Sequence, residues 1–588
     1  MNGRGKTIAL LLLLVLLVFA GRFYLLLHSE LVYDEEEYKT GSIAYLLMHE
    51  RLLPVLEHQP GDYEGGTLLF GILMIPFFAV FGPKYLALKL LAITTTLVTA
   101  LVAAYYARRH SGLPAAMAAG ALFVLPSAYV LQIGLLPWGN YAENAMLSLA
   151  TLLIAARVWS QKKPALPVVF LFGALLGLGV WMHYGFLVAV VLASVLWWLI
   201  DPRFLLKPRG WVWCAGGVVG FLPWLIYNIN HNWWGLRRFG DAVGATGNFG
   251  DRLIGFFQRL ALLLTVDLPA GLHFRADSLA AVKALSYVYY LLSLALVVLL
   301  VVLLRKKAGQ MLCALWPRAP RTAPDASFWA LAPVGYLVLY ILVYAFSDYG
   351  LFSREWGTLD PESHCHIFAL YPMMLLADGL AVGAAWRTRW RIPVLTALAG
   401  LLVLGAVGFA GLLTPERPQH ERLSRDAYDR GVIYMEIGTK WGADHAQLAK
   451  IQQRLEGQAL RSFVFGAGIK YGHDHATSFQ VALDKCAAQP DALLPYCWFG
   501  IGTGLYSARP VPLDQLDALV SGAPEQVKPW LELGACVGNI WTGLPEHPSC
   551  ARAQTIKVKE IAPPEEADTL SVFVEGHLLM QQFRPEKQ

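Results

Sequence analysis

Residues 8–19 read IALLLLLVLLVF and residues 292–304 read LSLALVVLLVVLL, two runs without a single charge. Such runs must be hidden from water, and a bilayer hides them at the least cost. The whole chain shares this character, because 56% of its 588 residues are hydrophobic and only 15% are charged; an average soluble domain has about 25% charged residues. Together with a mean hydropathy of +0.47, this composition predicts an α-helical polytopic membrane protein.

The charge is divided unevenly along the chain. The 173 residues from Glu416 carry 17 basic and 21 acidic side chains, whereas residues 1–415 carry 30 basic and 21 acidic ones. We therefore expect a membrane domain over residues 1–415 and a soluble domain over residues 416–588. A net charge of +5 spread over the whole chain argues against nucleic-acid binding.

Eleven windows of about 20 apolar residues are long enough to cross a membrane as helices. They fall near residues 7–27, 84–107, 112–136, 143–160, 165–182, 185–201, 210–229, 281–304, 328–346, 366–386 and 392–414. Basic clusters favour the cytoplasmic side of such spans, and all of them lie there if the N-terminus is inside. The clusters are Arg4 and Lys6, Arg108 and Arg109, Lys162 and Lys163, Arg203, Lys207 and Arg209, Arg305, Lys306 and Lys307, and Arg387, Arg389 and Arg391. The pattern predicts a multi-pass protein of the cell inner (plasma) membrane, with a cytoplasmic N-terminus and an extracytoplasmic C-terminal domain.

Two apolar segments allow an interpretation other than a simple membrane span. Leu68–Phe81 is short and is interrupted by Gly71 and Pro76. As a span it would move every later basic cluster outside, so we expect a helix at the outer interface. The first apolar helix has the makeup of a signal peptide, but no small-x-small cleavage site precedes His28. The orientation of the later loops also requires this helix, so we expect it to remain.

Four of the seven cysteines lie in the C-terminal domain, namely Cys486, Cys497, Cys536 and Cys550. In an exported domain this number suggests two disulfides, and the sequence does not choose among the three pairings. A metal site is the rival interpretation, but no pair has C-x-x-C spacing.

Glycine-rich segments repeat in the same domain. Phe465-Gly466-Ala467-Gly468, Phe499-Gly500-Ile501-Gly502 and Leu533-Gly534-Ala535-Cys536 place equivalent glycines 34 residues apart. This period is typical of helix-hairpin arrays of the tetratricopeptide type; three unrelated glycine-rich helices are the alternative. We expect helical repeats that contact a partner or an acceptor.

Four consecutive carboxylates, Asp34-Glu35-Glu36-Glu37, follow the first span, and the amphipathic stretch Tyr38–Met48 comes next. An acidic run is usually a solvated face. A carboxylate at the membrane surface could instead take the proton from an acceptor hydroxyl that attacks a lipid-borne sugar.

Asp34-Glu35-x-x-Tyr38 after an uncleaved helix resembles the D-E-x-x-Y of the membrane-embedded GT-C glycosyltransferases. The similar branch contains the protein O-mannosyltransferases, which use dolichyl-phosphate-mannose, and the lipid A aminoarabinose transferases. The further motifs that match it in order are Gly65-Gly66-Thr67-Leu68-Leu69, Phe81-Gly82-Pro83, Ala107-Arg108-Arg109 and Gly220-x-x-Pro223-x-x-x-Tyr227-Asn228. The resemblance covers most of residues 7–415 and none of the C-terminal domain.

This resemblance implies an inverting glycosyltransferase that uses a polyprenyl-phosphate-linked sugar on the outer side of the membrane. Asp34 and Glu35 are the implied catalytic residues, with Asp34 as the base, and Tyr38 belongs to the same motif. Glu143 is the candidate for a second external acidic residue that contacts a metal or the acceptor. A simple helix-start carboxylate is the alternative for Glu143.

The leaving phosphate of such a donor needs positive charge. Arg237, Arg238 and Arg354 are expected in external loops, where they bind either this phosphate or lipid head groups. His364-Cys365-His366 stands where the family often has R-Y, so either histidine could replace the basic residue or bind a metal.

The histidine His183 is expected at the outer end of its span, where it could line the same cavity or be structural. Asp62 and Glu64 lie in a loop where many members have Pro-Pro-Leu, and Gly65 and Gly66 next to them allow close backbone approach to a ligand. We expect this loop to set sugar or acceptor specificity. The need for a divalent metal ion stays open.

A transporter or flippase of lipid-linked sugars is the main alternative, and a non-catalytic scaffold is a third. A transporter should carry ionisable residues near the middle of the membrane and repeated broken helices. We find no two-fold repeat, and the main charge inside a span is Arg22, close enough to the outer end to snorkel. The expected partners are the polyprenyl-phosphate sugar donor, membrane lipid and an extracytoplasmic acceptor.

Overall fold

The computed structural model describes most of the chain and makes it almost entirely helical. The described residues are 3–29, 35–49, 65–161, 163–230, 233, 235–236, 249–270, 280–316, 324–346, 366–413, 420–441, 445–508, 512–541 and 547–579. Over these ranges no β-strand forms, and one isolated bridge pairs Lys84 with Asp426. The expected helical class is therefore confirmed.

Eighteen α-helices precede Tyr428 in the described part of the chain. In order they are α1 (Gly3–His28), α2 (Glu35–His49), α3 (Gly66–Phe81), α4 (Tyr85–Ser111), α5 (Leu113–Val124), α6 (Ala128–Ile133), α7 (Tyr141–Trp159), α8 (Leu166–Met182), α9 (Leu187–Ile200), α10 (Pro208–Asn230), α11 (Phe249–Leu262), α12 (Leu268–Ala270), α13 (Ala280–Leu303), α14 (Arg305–Ala314), α15 (Ala326–Phe346), α16 (Leu370–Ala385), α17 (Arg391–Gly411) and α18 (His420–Leu423).

Ten more α-helices follow Tyr428 among the described residues. They are α19 (Val432–Trp441), α20 (His445–Gln452), α21 (Gly457–Asp474), α22 (Phe479–Ala487), α23 (Leu494–Ala508), α24 (Leu513–Ser521), α25 (Lys528–Trp541), α26 (Pro548–Ala553), α27 (Val558–Ile561) and α28 (Ala567–Leu579).

Six of the described helices are long and apolar enough to cross a membrane. They cover Thr7–His28, Tyr85–Ser111, Pro208–Asn230, Ala284–Leu303, Ala326–Phe346 and Arg391–Gly411. Shorter apolar helices of 10–17 residues lie at Gly66–Phe81, Leu113–Val124, Leu166–Met182, Tyr184–Ile200 and Leu370–Ala385. Within the described residues the chain thus has the helices of a membrane protein, and the number of spans and their orientation stay predictions.

The apolar window near residues 112–136 is not one continuous helix. Helix α5 ends at Val124, and α6 begins only at Ala128. Leu125 has φ −124° and ψ 68°, outside the helical region. Pro126 explains the break, because its ring disfavours the helical conformation of the preceding residue and it has no N–H to donate.

Arg22 binds the end of α5 at this break, and its side chain is fully buried instead of snorkelling as expected. Nη2 donates to the carbonyl of Phe123 at 3.0 Å and Nη1 to the carbonyl of Val124 at 3.2 Å. The last carbonyls of a helix have no partner within it, so the guanidinium of α1 caps the end of α5.

Glycines let α8 and α10 pack backbone against backbone. A Cβ added at Gly177 would lie 2.0 Å from the carbonyl oxygen of Gly217, and one at Gly216 would lie 2.1 Å from that of Phe170. Small residues at such crossings are a common means of packing helices in membranes. The contact brings the end of α10 to the end of α8, where Trp224 Nε1 donates to the hydroxyl of Tyr184 at 2.5 Å.

By contacts the described residues form two compact units, which do not follow the division at residue 416. The first unit contains α1 and the described residues from Gly65 to Ala427. The second contains α2 together with the described residues from Tyr428 onward. Helix α2 is included there because it packs on α19, a contact between distant segments that composition does not reveal.

The repeated glycines of the second unit lie where successive long helices touch. An added Cβ would lie 1.9 Å from the carbonyl oxygen of Met435 at Gly466, and 2.1 Å from that of Phe465 at Gly500. At Gly534 it would lie 2.1 Å from the carbonyl oxygen of Phe499. Each glycine thus allows its helix to contact the preceding long helix, in the order α19, α21, α23, α25.

Two disulfides form in this unit, as expected. Cys486 pairs with Cys497, and Cys536 pairs with Cys550. The first bond joins α22 to α23, and the second joins α25 to α26. Each therefore links a short helix to a long one.

Loss of the second bond should destabilise the unit. The bond closes a loop with a sequence separation of 14 residues, and such a cross-link stabilises mainly by restricting the unfolded chain, by roughly 2–4 kcal/mol. We expect the full-length Cys536→Ala/Cys550→Ala variant to lose this amount in pulse proteolysis under urea. Unchanged stability would contradict a structural role for the bond.

Surface labelling tests the predicted orientation. We expect Lys306 and Lys162 to be shielded from an impermeant amine reagent applied outside intact cells; Lys162 lies outside the described residues. Lys557, whose side chain is 74% exposed in the second unit, should react and serves as the positive control. Reaction of Lys306 from outside would overturn the orientation.

Candidate functional site

Most of the charged site residues expected from the sequence lie outside the described residues. These are Asp34, Glu64, Arg237, Arg238 and Arg354, together with Asp62, His364 and Cys365. Glu35 is the first residue of α2 and Tyr38 lies in its first turn. Glu143, His183 and His366 are described and can be placed.

Helix α2 does not present its acidic run wholly to solvent. Glu37 is fully buried, as are Ile43 and Leu46 further along the helix. The interpretation of the run as a solvated face is therefore wrong for Glu37, because this residue lies on a buried side of α2.

Glu143 lies in the first turn of α7 and is 1% exposed. The side chain of Asn140 caps this helix by accepting a hydrogen bond from the Tyr141 N–H at 2.9 Å. The Glu143 carboxylate faces the backbone amides of Gly139 and Asn140. Among the described residues neither of its oxygens makes a hydrogen bond of ordinary geometry. A carboxylate is favourable at this helix end, but a buried one with unfilled acceptor positions can also receive a ligand.

Two histidines that are distant in sequence meet on one aromatic ring. The ring of Tyr141 has its centre 5.5 Å from that of His183 and 5.2 Å from that of His366, both edge-on. The hydroxyl of Tyr340 donates to the carbonyl of His366. Sequence reasoning placed both histidines near one cavity, but no local pattern joins them to Tyr141.

The protonation of His183 follows from its surroundings. Burial lowers the pKa of its imidazole to about 4, so the ring is neutral at pH 7. Its Nδ1 accepts a hydrogen bond from the Gly185 N–H at 2.9 Å, which leaves the ring proton on Nε2. His183 is thus a neutral hydrogen-bonding group and not a cation for a phosphate.

The Gly65-Gly66-Thr67 motif lies at the same end of α7. Gly65 donates its N–H to the carbonyl of Trp181 at 2.8 Å, and Thr67 Oγ1 donates to the carbonyl of Trp138 at 3.2 Å. A Cβ at Gly66 would lie 1.8 Å from the carbonyl oxygen of Gly139. The close approach that these glycines permit is therefore to the chain itself, and not to a ligand as expected.

Contacts between rings join Trp138, Tyr141, His183 and His366, and Glu143 lies two residues after Tyr141 in the first turn of α7. We call these five residues the α7 cluster. It combines a buried carboxylate, imidazole nitrogens and two aromatic rings 5.4 Å apart. Aromatic faces and hydrogen-bonding groups of this kind are able to bind a partly polar ligand. The described residues contain no group of three or more His, Cys, Asp or Glu side chains that could hold a metal ion.

Asp378 is a buried ionisable residue that the sequence analysis missed. It lies in α16, is fully buried, and accepts a hydrogen bond from Ser293 Oγ at 2.7 Å. Its Oδ1 has no hydrogen-bond partner among the described residues. The signal was present as one Asp within the apolar helix Leu370–Ala385, and ionisable residues in such helices often have a function.

A comparison with protein families found no match, and a comparison with curated proteins found none either. The class that the described fold defines is a helical protein whose longer apolar helices can cross a membrane.

Proposed function

We propose that the protein is a membrane glycosyltransferase that moves a sugar from a polyprenyl-phosphate donor to an extracytoplasmic acceptor. Its fold would be that of the GT-C enzymes, with about eleven spans in the inner (plasma) membrane. The observation that carries the proposal is the α7 cluster, in which two imidazoles contact the ring of Tyr141 at the start of the helix that also carries the buried Glu143 carboxylate. The ordered motifs from Asp34 to Asn228 give it independent support.

The reaction would be a single displacement with inversion. The acceptor hydroxyl oxygen attacks the anomeric carbon of the sugar, and its proton passes to the Asp34 carboxylate. The bond between the anomeric carbon and the phosphate oxygen breaks, and its electron pair leaves with the polyprenyl phosphate. One glycosidic bond forms for each sugar–phosphate bond that breaks.

The other residues would bind and orient. Arg237, Arg238 and Arg354 would stabilise the negative charge of the leaving phosphate. Glu143 and His366 would hydrogen-bond the sugar or the acceptor, and Trp138 and Tyr141 would offer aromatic faces to it. Glu35 and Tyr38 would support Asp34, and Glu64 would contribute to specificity.

Reconstitution tests the proposal. Purified protein in liposomes would be incubated with a panel of radiolabelled polyprenyl-phosphate sugars and an envelope extract as the source of acceptor. We expect one donor to pass its label from the lipid phase to the acceptor, while an Asp34→Asn sample does not. Failure of every donor with the wild-type protein would contradict the proposal.

A transporter or flippase of lipid-linked sugars is the second candidate. The buried Asp378 favours it, because transporters place carboxylates inside the membrane to bind ions or protons. Under this alternative, Asp378→Asn should abolish movement of the donor across the bilayer. Under the enzyme proposal the same variant should keep transfer, since Asn can still accept the hydrogen bond from Ser293.

A further inference from the structure

Within the second unit, helix α2 is attached to the segment from Tyr428 to Glu436 by a set of specific contacts. We call this set the α2 clamp: Lys39, Tyr45, Tyr428, Arg430 and Glu436. Lys39 Nζ lies 2.6 Å from Glu436 Oε1. The rings of Tyr45 and Tyr428 stack with centres 3.7 Å apart. Arg430 Nη2 donates to the Tyr45 hydroxyl at 2.6 Å. These contacts join α2 to a segment almost 400 positions later in the chain.

The helix needs such a partner. It has 15 residues, and helices of this length are marginal in water without tertiary packing. Its buried side chains Ile43 and Leu46 supply the apolar contact. A further hydrogen bond, from the Asp429 N–H to Ser42 Oγ at 3.0 Å, ties the middle of the helix to the same segment.

The clamp attaches α2 at two different turns. Lys39 lies directly after Tyr38 and four residues after Glu35, near the start of α2. Tyr45 lies nearly two turns further along. Two attachments on different turns fix both the rotation of the helix about its axis and its position along that axis.

We propose that the second unit is a positioning element of the enzyme, which holds α2 so that the start of this helix, with Glu35 and Tyr38, is correctly placed for catalysis. Lys39, Tyr45, Arg430 and Glu436 are the positioning residues. This role rests on the proposed function. The sequence predicts a C-terminal domain that contacts a partner or an acceptor, whereas the positioning role makes this domain necessary for turnover.

The Lys39–Glu436 pair allows position to be tested separately from stability. Both side chains are about one quarter exposed, so solvent screens part of their attraction and the pair is one contribution among several that hold α2. An error of about 1 Å in the placement of catalytic groups can lower a rate about 100-fold. Breaking the pair should therefore affect turnover much more than folding.

The test is a charge swap in the full-length protein in lipid nanodiscs. Lys39→Glu and Glu436→Lys each place like charges together, and the double variant restores an ion pair in the reverse order. We expect each single variant to lower kcat about 10-fold, with KM for the donor changed less than about 2-fold. The double variant should recover most of kcat. Hydrogen exchange in α2 should rise in the single variants and return to normal in the double one.

Lys470→Glu is the matched control. Lys470 pairs with Asp474 at 2.9 Å in the same unit, and the two side chains have a similar exposure of 28% and 29%. Lys470 lies on α21, whereas α2 packs on α19, so transfer should be unchanged. A drop like that of Lys39→Glu would mean that charge reversal anywhere in the unit disturbs activity.

The outcomes separate the two proposals. Normal kcat in both single variants, with faster exchange in α2, would remove the positioning role and leave the glycosyltransferase proposal intact. Reduced kcat without recovery in the double variant would also contradict positioning by this pair. Absence of transfer by the wild-type protein with every donor would remove the proposed function, and the positioning role with it.

Discussion

Turnover should fall about 10²–10⁴-fold when Asp34 is replaced by Asn, the usual cost of losing a general base. Asn keeps the shape and most of the hydrogen bonding of Asp but cannot take the acceptor proton. Donor binding should be largely kept, because the lost interaction belongs to the transition state. Transfer rates at saturating donor, together with a donor-binding isotherm, measure the two effects separately.

Glu36→Gln is the control for this variant, because the motif leaves its position free. Glu37→Gln belongs to a different test, since Glu37 is fully buried on α2 and its loss reports on folding as well. If Asp34→Asn keeps near-normal transfer while Glu36→Gln abolishes it, the register of the motif is wrong. If none of the three variants alters transfer, the enzyme proposal loses its main support.

The second large effect is expected for Glu143→Gln, which should lower kcat/KM about 100-fold if the buried carboxylate binds the sugar or the acceptor. As a helix-start carboxylate only, it would affect the stability of the protein and contribute nothing to transfer. Transfer kinetics and thermal unfolding of the same sample distinguish these two roles.

Asp325→Asn provides the comparison for Glu143→Gln. The Asp325 carboxylate accepts a hydrogen bond from the Phe328 N–H at 2.9 Å at the start of α15, so it also occupies a helix start. We expect this variant to lose a little stability and to keep transfer. Equal losses of transfer in both variants would show that Glu143 acts only through its helix.

Composition and periodicity predict the long apolar helices well. The window near 84–107 corresponds to α4 and the window near 392–414 to α17, because in each the local apolar run is enough to specify a helix. The window near 112–136 does not form one continuous helix, and the residue that breaks it is visible in the sequence. Pro126 lies inside it, and a proline there breaks the helix whatever the hydropathy of its neighbours.

Contacts between distant segments could not be predicted in the same way. Tyr141, His183 and His366 come together because the start of α7, the end of α8 and the turn before α16 lie at one place. No spacing in the sequence encodes this arrangement. The assignment of α2 to the second unit likewise depends on tertiary contacts with Tyr428 and Arg430. The repeated glycines were predictable because each one has a local, periodic role in helix contact.

The most direct test of the glycosyltransferase proposal is donor consumption by the purified protein in detergent micelles, where no second side of a membrane exists. An enzyme still breaks the bond between sugar and phosphate there, whereas a flippase leaves the donor intact. With an acceptor extract present, we predict stoichiometric release of polyprenyl phosphate by the wild-type protein and almost none by Asp34→Asn. A donor that stays intact in micelles, but crosses the bilayer of liposomes containing the protein, would contradict the proposal.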